Sequence, residues 1–438
     1  MKLSNELSKR IKTFLFTTEM IYIISDILIK AIAFLTLPFF LSVMSTEDYG
    51  EFSLYQSYMS VMSLFYALGI SKGIVRYYVE KKDEKKYLGT VVWLDIVIGI
   101  ICSIFVVTEE YLFGQFQLGA RKALVISIAS ICNCLCNLLL EDLRAQMKAF
   151  AYGICGLFIS ILSTGLGWLA VCNFSGNLGY VRYIASIIPL LLLALVTIIY
   201  IFKRDSIIFK ADVARYLLVY AIPLIPYTLS TTIIAEVSKW VFAKVGFSEV
   251  GIYSFSINLS SIMYIIVLSL NRAYQPMLFT CLRDGIDPKP QLKKNLCIFF
   301  LMYYIFLIFL NLAIKIFGSQ EYMATTYIAP IIVCGYGYFF IYSLVVNYYY
   351  YYKKNTIISM IAMLSAGVIA FLNYILIPPL GYIGAALASF ISYVVMYYIG
   401  AWYLKTKLKI KIFSLQESVC LQMALVLPAF LKVYIESI

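Results

Sequence analysis

Long apolar runs recur along the chain, separated by short polar or basic segments. Each run approaches the roughly 20 residues that a helix needs to cross the hydrocarbon core of a bilayer. The runs lack the alternation over about ten residues that is typical of a transmembrane barrel strand. The pattern predicts twelve membrane-spanning helices, at residues 20–42, 52–71, 88–108, 123–140, 153–172, 183–202, 217–238, 250–271, 295–314, 326–346, 356–376 and 383–404.

The last apolar stretch is shorter than the others. It covers residues 419–435 and contains Pro428 and Lys432. A thirteenth span would place the C-terminus outside the cell, whereas a helix that lies at the inner membrane surface would keep it inside. We expect residues 411–438 to form an additional, packed and partly inserted helix.

The composition agrees with a polytopic membrane protein. Of the 438 residues, 62% are hydrophobic and 13% are charged, whereas soluble domains are about half apolar and about a quarter charged. The chain has no histidine, which excludes histidine-based acid/base catalysis, Ser-His or Cys-His nucleophiles and histidine metal sites. We expect no catalytic residues, no metal site and no cofactor.

The basic residues lie mainly in alternate connections between the apolar runs. With the N-terminus placed in the cytoplasm, the inner segments hold 27 of the 35 Lys and Arg residues and the outer loops hold 6. An excess of Lys and Arg in cytoplasmic loops is the positive-inside signal. We therefore expect a cytoplasmic N-terminus, and we attribute the net charge of +12 to topology and anionic lipid head groups rather than to nucleic acid.

Three matches at one offset indicate an internal repeat. Gly50 and Gly251 are 201 residues apart, and an acidic residue, an aromatic residue and a serine correspond around them. The second match lies at the start of two apolar runs, at an offset of 202 residues. The third is between two long basic inner loops, which lie at a similar spacing in the chain. The matched segments are 48–53 with 249–254, 178–181 with 380–383, and 72–87 with 272–294.

An even number of spans in each repeat gives both halves the same orientation in the membrane. We therefore predict an all-α integral membrane protein with two like-oriented six-helix bundles and an additional C-terminal apolar helix. The predicted boundaries are 1–210 for the N-terminal lobe, 211–410 for the C-terminal lobe and 411–438 for the additional helix. Two such halves around a midplane site are the architecture of an alternating-access transporter.

An ordered set of short motifs resembles the polysaccharide repeat-unit flippases of the O-antigen (Wzx) type. These flippases are a branch of the multidrug/oligosaccharidyl-lipid/polysaccharide (MOP) exporter superfamily. The resemblance covers residues 20–404, and the tail after residue 405 departs from the family pattern. The motifs are Leu37 to Phe39, Ser45 to Ser53 and Leu68 to Tyr78 in the first half, and Tyr220 to Pro226, Gly251 to Ser254, Asn271 to Pro276 and Gly381 to Ala386 in the second.

The resemblance implies a MATE-like fold and a flippase function. Its substrate would be an undecaprenyl-pyrophosphate-linked oligosaccharide, which crosses the bacterial inner membrane before polymerisation. The expected partners are this lipid-linked substrate and membrane lipids, with a polysaccharide polymerase and a chain-length regulator as candidate protein partners. The sequence has no G-x-x-x-x-G-K-[ST] motif for ATP, so an ion or the membrane potential would have to supply the energy.

Several other functions fit a polytopic membrane protein. A cation-coupled multidrug exporter of the same superfamily is the main alternative, and a lipid-linked peptidoglycan-precursor flippase is another. An integral-membrane polysaccharide polymerase would be an enzyme, and it needs a large outer loop that carries its polar working residues. The outer loops here are short, and the two longest loops are basic and on the inner side, so we expect no enzyme.

Charged residues within or at the ends of the predicted helices are the candidate substrate site. A pyrophosphate needs cationic donors, which Lys30, Lys72, Arg76 and Arg272 would supply. Asp26, four residues before Lys30 and on the same helix face, would pair with Lys30. Alternatively, Asp26 and Lys30 form a purely structural pair, and the other three cations only hold helix ends at the head-group layer.

Candidate ion or proton sites are the acidic residues Asp26, Asp95 and Glu236, which lie within predicted helices. Carboxylates in membrane-spanning segments mark ion pathways and proton relays. One of these three residues would couple transport to an ion.

Overall fold

The computed structural model describes residues 18–80, 87–114, 118–204 and 208–437, and nearly all of them lie in helices. The basic residues at 81–86 fall outside this part of the chain. The helices are α1 (Thr18–Leu35), α2 (Leu37–Leu41), α3 (Thr46–Ala67), α4 (Ser71–Glu80), α5 (Leu88–Leu112), α6 (Ala120–Ala145), α7 (Ala149–Asn173), α8 (Leu178–Arg204), α9 (Ala211–Ala221), α10 (Ile225–Ala243), α11 (Phe247–Asp284), α12 (Lys289–Phe317), α13 (Thr325–Tyr351), α14 (Asn355–Lys407) and α15 (Leu415–Ser437), with short 3-10 helices at Ile222–Leu224 and Gln320–Tyr322.

Eleven helical segments of the described chain are long and apolar enough to cross a membrane. One of them is α14, whose 53 residues contain the two predicted runs at 356–376 and 383–404. The chain bends within α14 at Gly381, which has φ 53° and ψ −127° and closely follows two prolines. The predicted all-helical membrane fold with about twelve spans is therefore confirmed.

The second predicted run corresponds to α3, which is not among the eleven segments. Its sequence contains polar residues that the protein itself buries, including Glu51, Ser53 and Ser57. Such residues lower the hydropathy of a helix without exposing polar groups to lipid. Hydropathy alone therefore underestimates a helix that packs mostly against protein.

The helices extend beyond the apolar runs. The described parts of the predicted inner loops at 72–87 and 272–294 are largely helical, because α4 continues to Glu80 and α11 continues to Asp284 before α12 begins at Lys289. For residues 72–80, 272–284 and 289–294, the prediction of a loop is wrong. The reason is physical: apolar runs mark the depth of the hydrocarbon, whereas helical hydrogen bonds continue into water or the head-group layer.

The chain divides into two compact units. Among the described residues, the first contains those up to residue 44 and those from 55 to 228, and the second contains residues 45–54 and those from 229 onward. The start of α3 therefore belongs with the second unit, and α9 belongs with the first. The lobe boundaries at residues 210 and 410 stay a prediction.

In the first unit, α6 packs against α4, α5, α7 and α8, and α1 packs along α7. Two glycines let α1 and α7 approach closely. A Cβ atom on Gly153 would lie 2.4 Å from Oγ of Ser25, and one on Gly156 would lie 2.5 Å from the side chain of Ile29. This contact fixes which face of α1 is turned toward α7.

In the second unit, α13 is almost wholly buried and packs against α11, α14 and α15. The C-terminal helix α15 is anchored by polar contacts as well as by packing. The hydroxyl of Tyr303 donates to the carbonyl of Leu425 at 2.7 Å, and the ammonium of Lys432 donates to the carbonyl of Leu307 at 2.5 Å. The tail is thus a helix that packs against α12 and α13, and it is long and apolar enough to cross a membrane.

Within the second unit, the starts of α3 and α11 cross in backbone contact. Gly50 and Gly251 lie near the beginnings of these helices. A Cβ atom on Gly50 would lie 1.7 Å from the carbonyl oxygen of Phe247, and one on Gly251 would lie 2.0 Å from that of Thr46. Neither helix has room for a side chain at the crossing.

Two pairs of hydroxyls at this crossing join residues that lie about one repeat apart in the chain. The hydroxyls of Thr46 and Ser248 lie 2.8 Å apart, and Ser53 donates to Ser254 at 2.8 Å. The two pairs are separated by 202 and 201 residues in the chain. Segments that the repeat aligns in sequence are therefore in contact in the fold.

We expect Gly50→Ala to destabilise the protein by about 1–3 kcal/mol or more, because the new methyl group overlaps a backbone carbonyl that cannot rotate away. Thermal melting of the purified protein in detergent measures the effect. Gly165→Ala in α7 is the matched control, since a Cβ atom there meets nothing within 4 Å and helix propensity favours Ala by up to ~1 kcal/mol. Equal melting temperatures for the two variants would contradict the crossing.

Candidate functional site

Asp26 and Lys30 lie one turn apart on α1 but do not form the predicted ion pair. Oδ1 of Asp26 instead accepts a hydrogen bond from the hydroxyl of Tyr152 on α7, at 3.0 Å. The side chain of Lys30 is exposed, and no carboxylate of the described side chains lies within ion-pair distance of its ammonium. The packing of α1 on α7 explains this difference, because it brings Tyr152 to Asp26.

The Tyr152 hydroxyl belongs to a chain of polar contacts that joins three helices. It accepts a hydrogen bond from Nη2 of Arg144 at 3.1 Å, and Nη1 of Arg144 forms an ion pair with Glu141 at 3.0 Å. The Arg144 guanidinium also lies over the Tyr152 ring, 5.1 Å from its centroid, and the ring of Tyr22 meets the Tyr152 ring edge to face. These contacts fix the Asp26 carboxylate and leave the guanidinium partly exposed.

A second carboxylate in the first unit, Asp142, has no exposed surface and accepts four hydrogen bonds. Tyr87 donates to its Oδ1 at 2.6 Å. Tyr200, Gln146 and Arg204 donate to its Oδ2, with Arg204 at 2.6 Å. Charge-assisted bonds of this kind stabilise a buried carboxylate, so Asp142 ties α6 to the end of α8 and the start of α5.

Asp95 on α5 is also buried, with 3% of its surface exposed. Its Oδ1 has no hydrogen-bond partner among the described residues. Burying a carboxylate without a partner is costly. Such a group in a membrane-spanning helix is a candidate site for a proton or a cation.

The other predicted site residues lie apart from this network. Glu236 forms an ion pair with Lys239 at 2.9 Å, and both side chains are largely buried. Arg272 on α11 is exposed. Lys72 and Arg76 lie on α4, and their side chains are outside the described part of the structure.

Sequence reasoning missed the partners that determine this geometry. Tyr152 is one of 38 tyrosines, and 126 residues separate it from Asp26. Arg204 lies 62 residues from Asp142. One signal was available: Glu141, Asp142 and Arg144 form a cluster of charges at the end of an apolar run.

Comparison with known proteins identifies relatives of this chain. The sequence profile described as polysaccharide biosynthesis protein matches residues 18–281. A protein of the Lsg locus of Haemophilus influenzae is 23% identical over 367 residues, which cover 80% of this chain and 88% of that protein.

Two solved structures have a similar fold. The lipid II flippase MurJ, in an inward closed conformation, gives a TM-score of 0.73 at 15% identity and covers 95% of this chain and 98% of its own. An inward-facing multidrug resistance MATE family transporter of the MOP superfamily gives a TM-score of 0.65 at 13% identity and covers 87% and 96%. The predicted MATE-like fold is confirmed. Both solved structures with this fold are of transport proteins.

Arg204→Ala should destabilise the protein by about 3–5 kcal/mol, because it leaves the Asp142 charge buried without its cation. Denaturant titration of the purified protein in detergent measures the loss. The matched control is Arg283→Ala, since the ion pair of Arg283 with Asp284 is exposed and exposed pairs contribute little to stability. The double variant Asp142→Asn with Arg204→Gln should lose less stability than Arg204→Ala, because no charge is then left buried without a partner. Similar losses for the two Ala variants would refute the role of Asp142.

Proposed function

Because the chain belongs to the polysaccharide biosynthesis protein family, we propose that it flips an undecaprenyl-pyrophosphate-linked oligosaccharide repeat unit across the bacterial inner membrane. The family match is the observation that carries this proposal. The fold supports it, since a lipid II flippase has the same architecture. The repeat unit would be that of an O-antigen or a related polysaccharide, as in the Wzx-type flippases. A polysaccharide polymerase and a chain-length regulator would act on the product.

The substrate has a lipid tail, a doubly charged linker and polar sugars, so its path through the membrane needs fixed cations. Lys30 is suited to this role because its side chain is exposed while the neighbouring carboxylate is bonded to Tyr152. A lysine within the span Ile24–Leu41 is costly in hydrocarbon. We assign its ammonium to the pyrophosphate, with Lys72, Arg76 and Arg272 as further cations along the path.

Transport by alternating access needs an energy source. Asp95 is the first candidate for the coupling site, since its buried carboxylate has an oxygen without a partner in the described structure. Asp26 is the second, because a tyrosine hydroxyl rather than a lysine holds it. Glu236 is less available, as Lys239 already neutralises it.

A cation-coupled multidrug exporter is the second candidate function. The likeness to a MATE family transporter favours it, and a buried acidic residue such as Asp95 would suit cation coupling. The two functions predict different phenotypes when the protein is lost. Drug sensitivity with normal surface polysaccharide would support the exporter and overturn the flippase.

Depletion of the protein in its native host should remove surface polysaccharide and leave lipid-linked repeat units on the cytoplasmic face. The measurement is extraction of lipid-linked oligosaccharide, with its accessibility to an impermeant sugar-modifying enzyme assayed in spheroplasts and in inverted vesicles. The wild-type gene on a plasmid should restore transport. Repeat units that still reach the outer face after depletion would refute the proposed function.

Lys30→Ala should lower polysaccharide export roughly 10–100-fold, the effect of removing one charge-assisted contact of about 1.5–3 kcal/mol. Lys30→Arg should retain part of the activity. Lys315→Ala, at an exposed lysine of α12, is the control for loss of a cation. Since Asp26 is held by Tyr152, neutralising Asp26 as well should not rescue Lys30→Ala. Recovery in that double variant would show that Lys30 only balances Asp26.

We place the N-terminus in the cytoplasm, since this orientation puts 27 basic residues on the inner side and 6 on the outer side. Single cysteines at Glu47 and Asp287, in a variant without the ten native cysteines, test the orientation. An impermeant thiol reagent should label position 47 in intact spheroplasts and position 287 only after lysis. The reverse pattern would overturn the proposed topology.

A further inference from the structure

A cleft of about 450 Å³ lies at one end of the second unit. It is formed by the last turns of α14, the connection at 408–414 and the first turn of α15. Its lining combines aromatic and aliphatic side chains with two lysines. The residues that matter here are Tyr398, Trp402, Lys405, Lys411, Ile412 and Phe413.

Four lysines alternate with other residues along this segment, at 405, 407, 409 and 411. All four are exposed, but only Lys405 and Lys411 line the cleft. The backbone explains this division. Lys409 has a left-handed conformation with φ 56°, and the amide of Ile410 donates back to the carbonyl of Leu404 at 3.2 Å. The chain therefore turns back at the end of α14 and brings Lys411 to the same cleft as Lys405.

The aromatic residues of the cleft are those expected at a membrane surface. Trp402 is 62% exposed, and the half-exposed Tyr398 donates its hydroxyl to Gln422 at 2.6 Å. Trp and Tyr are enriched where hydrocarbon meets the head groups. The cleft lies where the long apolar helix α14 gives way to a basic connection, and a change of this kind is expected at the head-group level of a bilayer.

The acidic residue Glu417, in the first turn of α15 between the lining residues Leu415 and Ser418, is already engaged. Its carboxylate accepts a hydrogen bond from the amide of Ser414 at 2.7 Å, and Ser414 caps the amide of Glu417 in return. This reciprocal arrangement is a capping box. Lys289 and Lys293 also act on Glu417 electrostatically. The charge around the cleft is therefore predominantly positive.

We propose that this cleft binds an anionic phospholipid, with its phosphate between Lys405 and Lys411 and an acyl chain against Trp402 and its apolar neighbours. Charge complementarity and the apolar lining together favour a lipid over a soluble anion, which would use the lysines alone. Basic pockets beside membrane-spanning helices recognise such head groups. This site is separate from Lys30 and does not depend on the proposed flippase function.

The test is binding of phosphatidylglycerol to the purified full chain in detergent, titrated by native mass spectrometry. Lys405→Gln with Lys411→Gln should weaken binding about fivefold for each charge removed, or about 25-fold for the pair. Lys407→Gln with Lys409→Gln is the matched control, since it removes the same charge from the same segment outside the cleft. It should change the affinity less than about fivefold. Equal weakening of lipid binding by the two double variants would show that the segment acts only as a general basic surface, and it would overturn the proposal.

Brominated phosphatidylglycerol gives a second, local measurement. Its bromine atoms should quench the fluorescence of Trp402. In Trp402→Phe this quenching should be lost, and the fluorescence of the other three tryptophans should show the same background quenching as in the wild type. Brominated phosphatidylcholine should quench at least tenfold more weakly. Equal quenching by the two lipids, or displacement of the phosphatidylglycerol by an equal concentration of glycerol phosphate, would overturn the proposal of an anionic lipid site.

Discussion

Hydrocarbon offers no hydrogen-bond partners, and this constraint governs the contacts of the charged residues throughout the molecule. Backbone groups in a bilayer are satisfied within helices, and side-chain charges need partners in the protein or in water. Asp142 meets the constraint fully, with four donors around a carboxylate that has no exposed surface. Glu236 is paired in charge with a single lysine one turn further along the same helix. Charges that hold the fold can be recognised by partners of this kind.

The same constraint singles out the charges that do not hold the fold. The carboxylate of Asp26 accepts a hydrogen bond from the hydroxyl of Tyr152. The side chain of Lys30 is exposed, and the described carboxylates lie beyond ion-pair distance of its ammonium. A cation at this depth needs water or a polar ligand to offset its cost. Helix pairing therefore accounts for Asp26 but not for Lys30, and this difference is the basis for proposing Lys30 as the contact to a negatively charged substrate group.

Hydropathy was enough to predict the fold class, because each span must be apolar over the thickness of the bilayer. It did not predict where helices end: α11 continues to Asp284, and α14 runs through two spans with a bend at Gly381. Spacing predicted an Asp26–Lys30 pair, since residues four apart share a helix face. The actual partner comes from α7, and that choice depends on the packing at Gly153 and Gly156, which no spacing within α1 reveals.

The crossing of α3 and α11 shows what the repeat preserves. Gly50 must lack a side chain because of the carbonyl of Phe247, and Gly251 must lack one because of the carbonyl of Thr46. A side chain on either helix is enough to force the backbones apart, so the requirement applies equally to both copies. Lys30, by contrast, has Thr231 as its counterpart 201 residues later, so the fold does not require a charge there. Packing is thus duplicated and the cation is not, as expected if the two copies share a scaffold and one copy alone carries the contact to a single charged head group.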